Sequence, residues 1–285
     1  MSKKLVLQLP DQPGTHPVKI SDTVACGGKD LWIIAGPCAV ESEEQLTAVA
    51  QTLQKNQVQS IRGGAFKPRT SPYSFQGMGE EGLKLLNKMK DQYGLTVVTE
   101  VMSETQIPLM MEYADVMQVG SRNMHNFNLL KALGEIRKPV LLKRGLAATI
   151  DEFLWAAEYV LAGGNDQLIL CERGIRSFDT ITRNVLDLGG VSVLKHTTHC
   201  PVVVDPSHAA GRRDIVADLA KAAVGVGADG LMIEIHPSPD DSVSDADQAL
   251  SFDSFTKLMD SLRPLAEAMG RHLGTEQRTS AVKTA

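Results

Sequence analysis

Short apolar runs rich in β-branched residues recur eight times along this chain, and nothing else in the sequence restricts the fold as much. They occupy 31–35 (LWIIA), 58–62 (VQSIR), 95–100 (LTVVTE), 115–119 (DVMQV), 139–143 (PVLLK), 167–171 (QLILC), 201–205 (PVVVD) and 230–235 (GLMIEI). Most are continuously apolar, as parallel strands covered on both faces are. Segments with helical periodicity lie between and after them: 42–55, 82–93, 103–113, 126–136, 149–161, 179–188, 213–226 and 251–269. Thr149 and Glu152 have capping-box spacing. Eight strands alternating with eight helices over about 240 residues predict an α/β fold of the (β/α)8 TIM-barrel type. An open doubly wound sheet is the alternative, but no Gly-rich first turn marks one.

The expected organisation is a 1–30 N-terminal extension, a 31–270 barrel and a mobile 271–285 tail. Residues 4–9 and 18–20 flank a Pro/Gly-rich turn and are expected to pair as a β-hairpin plugging the barrel's N-terminal end. The chain has 285 residues, 43% of them hydrophobic, and a net charge of −5. An acidic balance argues against a general nucleic-acid or anionic-membrane binder. No apolar run approaches the roughly 18 residues of a membrane span, and the N-terminus lacks a signal-peptide core. A cytoplasmic location follows, with Cys26, Cys38, Cys171 and Cys200 as reduced thiols.

Barrel chemistry sits at the C-terminal ends of the strands. There the sequence places Gly36, Pro37, Cys38 and Glu41; Arg62 and Lys67 to Ser71; Gly120, Ser121 and Arg122; Lys143; Glu172 and Arg173; Asp205 to His208; and Glu234 with His236. Converging Arg62, Lys67, Arg69, Arg122, Lys143 and Arg173 repel one another unless anions neutralise them, and Arg forks match phosphate and carboxylate. Substrates bearing both groups are implied. Cys38, His208 and Glu234 offer a thiolate, an imidazole and a carboxylate, a set suited to a divalent transition metal. The following loop adds Asp240, Asp241, Asp245 and Asp247, among which spacing does not choose.

Two motifs mislead. The G-x-G-x-x-G at 225–230 ends a helix and precedes a strand, the reverse of a dinucleotide fingerprint. His196, His199 and Cys200 resemble a zinc cluster but precede the seventh strand, at the opposite end from the rim. Cys26, Cys171 and Cys200 are read as structural.

Together, Gly36-Pro37-Cys38 with Glu41-Ser42, the Arg62–Ser71 stretch RGGAFKPRTS, Cys171-Glu-Arg-Gly174, the 205–211 stretch DPSHAAG and the 234–237 stretch EIHP resemble one family. It is 3-deoxy-D-arabino-heptulosonate 7-phosphate (DAHP) synthase, type I beta. The resemblance implies condensation of phosphoenolpyruvate with erythrose 4-phosphate and release of phosphate, the first step of the shikimate pathway toward aromatic amino acids. It implies one divalent ion per subunit (Mn, Fe, Co or Zn) on Cys38, His208, Glu234 and Asp245. Phosphoenolpyruvate maps to Arg62, Lys67, Gly120, Ser121, Arg122, Lys143, Arg173 and His208. The aldose phosphate maps to Lys67, Pro68, Arg69, Thr70 and Ser71. Lys67, between the two sites, is placed to move a proton, with His208 or a water on the metal as alternatives; Glu41 and Asp205 are placed to orient ligands. A homo-oligomer, dimer or tetramer, is implied too.

Neither end has room for a fused regulatory or chorismate mutase domain, so a stand-alone catalyst insensitive to aromatic amino acids is expected. Three rivals remain. The sister enzyme makes 3-deoxy-D-manno-octulosonate 8-phosphate from arabinose 5-phosphate, but its loop usually reads Lys-Ala-Asn-Arg-Ser. A Schiff-base aldolase would use Lys143, and a non-catalytic barrel would serve as a phosphometabolite sensor.

Overall fold

The computed structural model describes residues 4–9, 11–67 and 73–273. A short antiparallel hairpin, β1 (Val18–Lys19) and β2 (Ala25–Cys26), precedes the barrel. The barrel strands are β3 (Asp30–Gly36), β4 (Ser60–Arg62), β5 (Thr96–Glu100), β6 (Val116–Val119), β7 (Val140–Lys143), β8 (Leu168–Glu172), β9 (Val202–Val204) and β10 (Gly230–Glu234). Each pairs in parallel with the next, and β10 closes onto β3 with Gly230 opposite Trp32 and Glu234 opposite Gly36. All eight expected strands are present in a closed (β/α)8 barrel.

The outer helices are α1 (Glu43–Lys55), α2 (Glu80–Tyr93), α3 (Ile107–Tyr113), α4 (Phe127–Gly134), α5 (Ile150–Ala162), α6 (Leu188–Thr197), α8 (Val216–Gly225) and α9 (Phe252–Ala268), with the five-residue α7 (Pro206–Ala210) on the rim. Several start where the sequence supplies an acceptor for an orphan N–H. Ser42 accepts from Gln45 N, and Thr149 with Glu152 forms the expected capping box. No helix among the described residues is long and apolar enough to cross a membrane.

Side-chain alternation explains both the apolar runs and the site. Trp32, Ile34, Val98, Val116, Leu141, Ile169, Cys171, Val203 and Met232 point into the barrel and pack together. Their neighbours, such as Ile33, Val97, Leu142 and Val204, point out against the helices. Strands buried on both faces leave no polar positions until their ends. Two residues beyond the inner apolar layer, the inward positions are Glu100, Gln118, Lys143, Arg173, Asp205 and Glu234. Arg62 stands likewise two beyond Ser60, whose hydroxyl accepts from the Trp32 indole inside the barrel.

Three expectations need correction. The hairpin pairs 18–19 with 25–26; residues 4–9 instead lie over α5 and α6, with Leu5 N and Val6 N donating to Glu158 and Leu7 bridged to Thr198. The plug itself is present, since Val18, Val24 and Cys26 pack on the inner apolar layer. Residues 179–187 are not a helix, and α6 starts only at Leu188. Ile181 and Val185 are exposed and only Leu186 and Leu188 pack against the core, too little for a helical stripe; a bridge joins Ile175 to Val185, and Asp187 caps α6 by accepting from Gly190 N. Finally, 272–273 is not part of a loose tail: β11 (His272–Leu273) pairs with β3 and buries Leu273. Residues 274–285 lie outside the described residues.

Candidate active site and metal centre

Gly36 ends β3 in close approach to β4. A Cβ there would lie 2.0 Å from the Arg62 carbonyl oxygen. The bare backbone lets the segment bearing Cys38 pass beside β4, and Ala39 bridges to Gly64. Cys38 thereby comes to face the end of β10 and the loop after it.

Cys38, His208, Glu234 and Asp245 each offer a ligand atom, and these atoms all lie within 4.8 Å of one another. Cys38 Sγ is 3.0 Å from Asp245 Oδ2, and His208 Nε2 is 3.6 Å from Glu234 Oε2. Among the described residues this is the one such group. The His196, His199 and Cys200 segment forms none: His196 Nδ1 bonds the Ser192 carbonyl and His199 Nε2 the Leu5 carbonyl. Cys26, Cys171 and Cys200 are buried free thiols.

Burial and neighbouring charges set the protonation tendencies of the four groups. Burial pushes the Cys38 thiol up to about 11 and the Glu234 carboxyl up to about 7, because desolvation penalises their charged forms. Burial lowers His208 to about 3, leaving a neutral imidazole, the form that binds metals. Burial would raise Asp245 too, but His208, Cys38 and Arg183 outweigh it and hold the carboxyl low. Glu234 Oε1 is buried without a hydrogen-bond partner among the described residues. A cation bound by thiolate, imidazole and two carboxylates would satisfy that oxygen and favour deprotonated ligands. The residues therefore fit a divalent transition metal.

Beside the quartet opens a cavity of about 520 Å³. Its lining includes Arg62, Lys67, Gly120, Ser121, Arg122, Lys143, Arg173 and His208, all the residues mapped to phosphoenolpyruvate. Arg62 Nη1 is buried and without a hydrogen-bond partner among the described residues, and its nearest carboxylate is Glu234 at 3.9 Å. Arg173 is buried, which pushes its pKa down, and its side chain donates to the carbonyls of Gly174 and His208. Lys67 Nζ is 2.9 Å from both the carbonyl oxygen and the Sγ of Cys38. Pro68, Arg69, Thr70 and Ser71 lie outside the described residues.

The two suggested orienting acids have defined contacts. Asp205 Oδ2 is 2.6 Å from Lys143 Nζ and 2.8 Å from His208 Nδ1. Burial works against its charge, but His208 and Lys143 outweigh burial and hold the carboxyl well below the usual range. Glu41 accepts from Val243 N and Ser242 Oγ and lies 3.4 Å from His236 Nε2, tying the Asp245 loop to the turn after β3. Sequence reasoning missed Glu100 and Gln118, which also line the cavity, and Arg183 and Gln248 beside Asp245. Strand parity could have found the first two, which stand two residues after the inward Val98 and Val116. The second pair lies in the segments after β8 and β10, Gln248 at the end of a short 3-10 turn, and has no such signal.

Residues 15–269 match the sequence profile of the DAHP synthetase I family. The chain belongs to this family. Among curated proteins, the Thermotoga maritima phospho-2-dehydro-3-deoxyheptonate aldolase is 50% identical over 247 residues, covering 87% of this chain and 73% of that one. A 2-dehydro-3-deoxyphosphooctonate aldolase from Syntrophotalea carbinolica is 33% identical over 260 residues, 85% of this chain and 93% of that one. The DAHP synthetase fold is equally plain in solved structures. The crystal structure of the Thermotoga maritima DAHP synthase superposes with a TM-score of 0.92 at 47% identity, covering 96% of this chain and 79% of that one. A truncated form of the same organism's enzyme gives 0.88 at 44% identity, covering 95% and 98%.

Proposed function

We propose that this chain condenses phosphoenolpyruvate with erythrose 4-phosphate and water, giving DAHP and phosphate, with one divalent metal ion bound per subunit. The observation that carries this reading is the contact between two unlike sites: a thiol–imidazole–dicarboxylate quartet adjoins a cavity lined by Arg62, Lys67, Arg122, Lys143 and Arg173. Such a cavity suits an enol phosphate bearing a carboxylate. In the overall reaction C3 of phosphoenolpyruvate bonds to the aldehyde carbon, water adds at C2, and the resulting hemiketal phosphate loses phosphate.

When bound, a divalent ion on Cys38, His208, Glu234 and Asp245 would supply Lewis-acid polarisation of an aldehyde oxygen. The chain's own groups do the rest. Arg62, Arg122, Lys143 and Arg173, with Gly120 and Ser121, hold the enol phosphate so that the reacting carbons meet in register. Asp205 bonds Lys143 Nζ and keeps a carboxylate oxygen 2.8 Å from His208 Nδ1. His208 presents Nε2 to the quartet, which leaves Lys67 as the better placed group for proton movement. In our assignment Lys67, Pro68, Arg69, Thr70 and Ser71 take the aldose phosphate.

The four-carbon sugar is favoured over arabinose 5-phosphate by the Lys67-Pro-Arg-Thr-Ser71 loop, and by 50% against 33% identity to the respective aldolases. A Schiff-base route is disfavoured because Lys143 Nζ is engaged with the buried Asp205 carboxylate at 2.6 Å. The family resemblance also points to a homo-oligomer, which sedimentation would read. Mass spectrometry of the sugar acid formed from phosphoenolpyruvate and an equimolar mixture of the two aldose phosphates tests the assignment. The seven-carbon product should dominate; an eight-carbon product would reverse the choice.

A further inference from the structure

Asp245 has an unusual backbone conformation. It lies in the loop after β10 with φ 57 and ψ 39, a left-handed conformation uncommon outside glycine. Its two oxygens are nevertheless distinguished. Oδ2 faces Cys38 Sγ at 3.0 Å, whereas Oδ1 accepts from Arg183 Nη1 at 2.9 Å. The same Nη1 donates to Gln248 Oε1 at 3.0 Å, and Gln248 Nε2 donates to Glu234 Oε2 at 2.7 Å. Chemistry fixes the direction of this chain. Guanidinium only donates and carboxylate only accepts, so the buried Gln248 amide fits between them one way round. Gln248 thereby holds Glu234 Oε2, the oxygen 3.6 Å from His208 Nε2, while Oε1 has no hydrogen-bond partner among the described residues.

Arg183 is itself anchored to the element that carries His208. Its N–H donates to the Ala210 carbonyl, Asn184 N donates to Ala209, and Asn184 Nδ2 donates to the His208 carbonyl. Gly211, with φ +66, permits this approach; a Cβ there would fall 2.4 Å from Arg183 Cβ. One two-residue segment of the loop after β8 thus reaches His208 and Asp245 directly and Glu234 through Gln248. The Arg183 side chain is 41% exposed, and exposed ion pairs contribute little to fold stability. Orientation of the ligand oxygens is what the arrangement supplies.

We propose that Arg183 is a positioning residue for the metal centre, holding Asp245 directly and Glu234 through Gln248. The proposal rests on the reading of the quartet as a metal site. Its test uses the full chain, stripped with a chelator and titrated with Co²⁺ alone. Affinity is read by chelator competition and ligand geometry by the cobalt–thiolate and d–d absorption bands. Arg183→Gln and Gln248→Leu should each weaken Co²⁺ binding about 10–100-fold and shift the d–d bands. Arg183→Lys, keeping one cationic donor, should recover part of the loss, and the metal-free melting temperatures of the Arg183 variants should stay near the parent's.

Cys38→Ser, which should abolish the thiolate band, separates the two levels of the argument. Parent-like affinity and spectra in Arg183→Gln, alongside loss in Cys38→Ser, would overturn the role of Arg183 while leaving the metal site standing. No thiolate band in the parent chain would overturn both. If Arg183→Gln fails to fold, Gln248→Leu decides by the same criteria. A rise in substrate KM with Co²⁺ binding intact would make Arg183 a substrate contact and refute the proposal.

Discussion

Lys67 Nζ donates to the carbonyl oxygen and to the Sγ of Cys38, each at 2.9 Å, so a single ammonium spans the anion cavity and the metal-competent quartet. Lys67→Met should therefore cut kcat by about 10²–10⁴-fold, the usual range for a lost proton-transfer group. Metal affinity should change far less. Steady-state kinetics with a parallel metal titration checks this, and equal losses in both would make Lys67 part of the metal centre's support.

Cys38→Ser removes the soft ligand from a buried site. Divalent metal content after dialysis should drop to background and turnover should be lost, while circular dichroism stays that of the parent. Retained metal and turnover would exclude the thiolate as a ligand.

Much of this was legible in the sequence because burial is simple in a closed barrel. The run at 139–143 reads as a strand since Leu141 points inward and Leu142 outward, and both are fully buried. The same alternation puts Lys143 inside the rim. The 179–188 segment misled because Ile181 and Val185 are exposed and only Leu186 and Leu188 pack against the core, and helical spacing matters only when a face is buried. Asp245 could not be chosen among four loop aspartates from spacing, because a left-handed residue and contacts from Arg183 and Ser244 set its position.

The division of the rim predicts a split in KM. Arg69→Ala should raise the KM for erythrose 4-phosphate well above any change for phosphoenolpyruvate, and Arg173→Ala should do the reverse. Loss of a desolvated charged contact costs about 2–5 kcal/mol. Initial-rate kinetics with each substrate varied would detect it, and equal effects on both KM values would redraw the boundary.

At the floor of the barrel, Trp32 Nε1 donates to Ser60 Oγ at 2.7 Å, and Ser60 Oγ lies 2.7 Å from Thr96 Oγ1. Ser60→Ala leaves a buried indole N–H unpaired, a cost of about 1–3 kcal/mol. Thermal melting should fall by several degrees, with KM for both substrates unchanged. Parent-like melting would mean the indole finds another acceptor.

Phosphate release from phosphoenolpyruvate tests the central claim most directly, assayed with erythrose 4-phosphate or arabinose 5-phosphate, in metal-stripped protein and after Mn²⁺ is restored. Rapid release with erythrose 4-phosphate only when metal is present, and much slower release with arabinose 5-phosphate, is the predicted result. Undiminished release from the stripped protein, or preference for the five-carbon sugar, would contradict it.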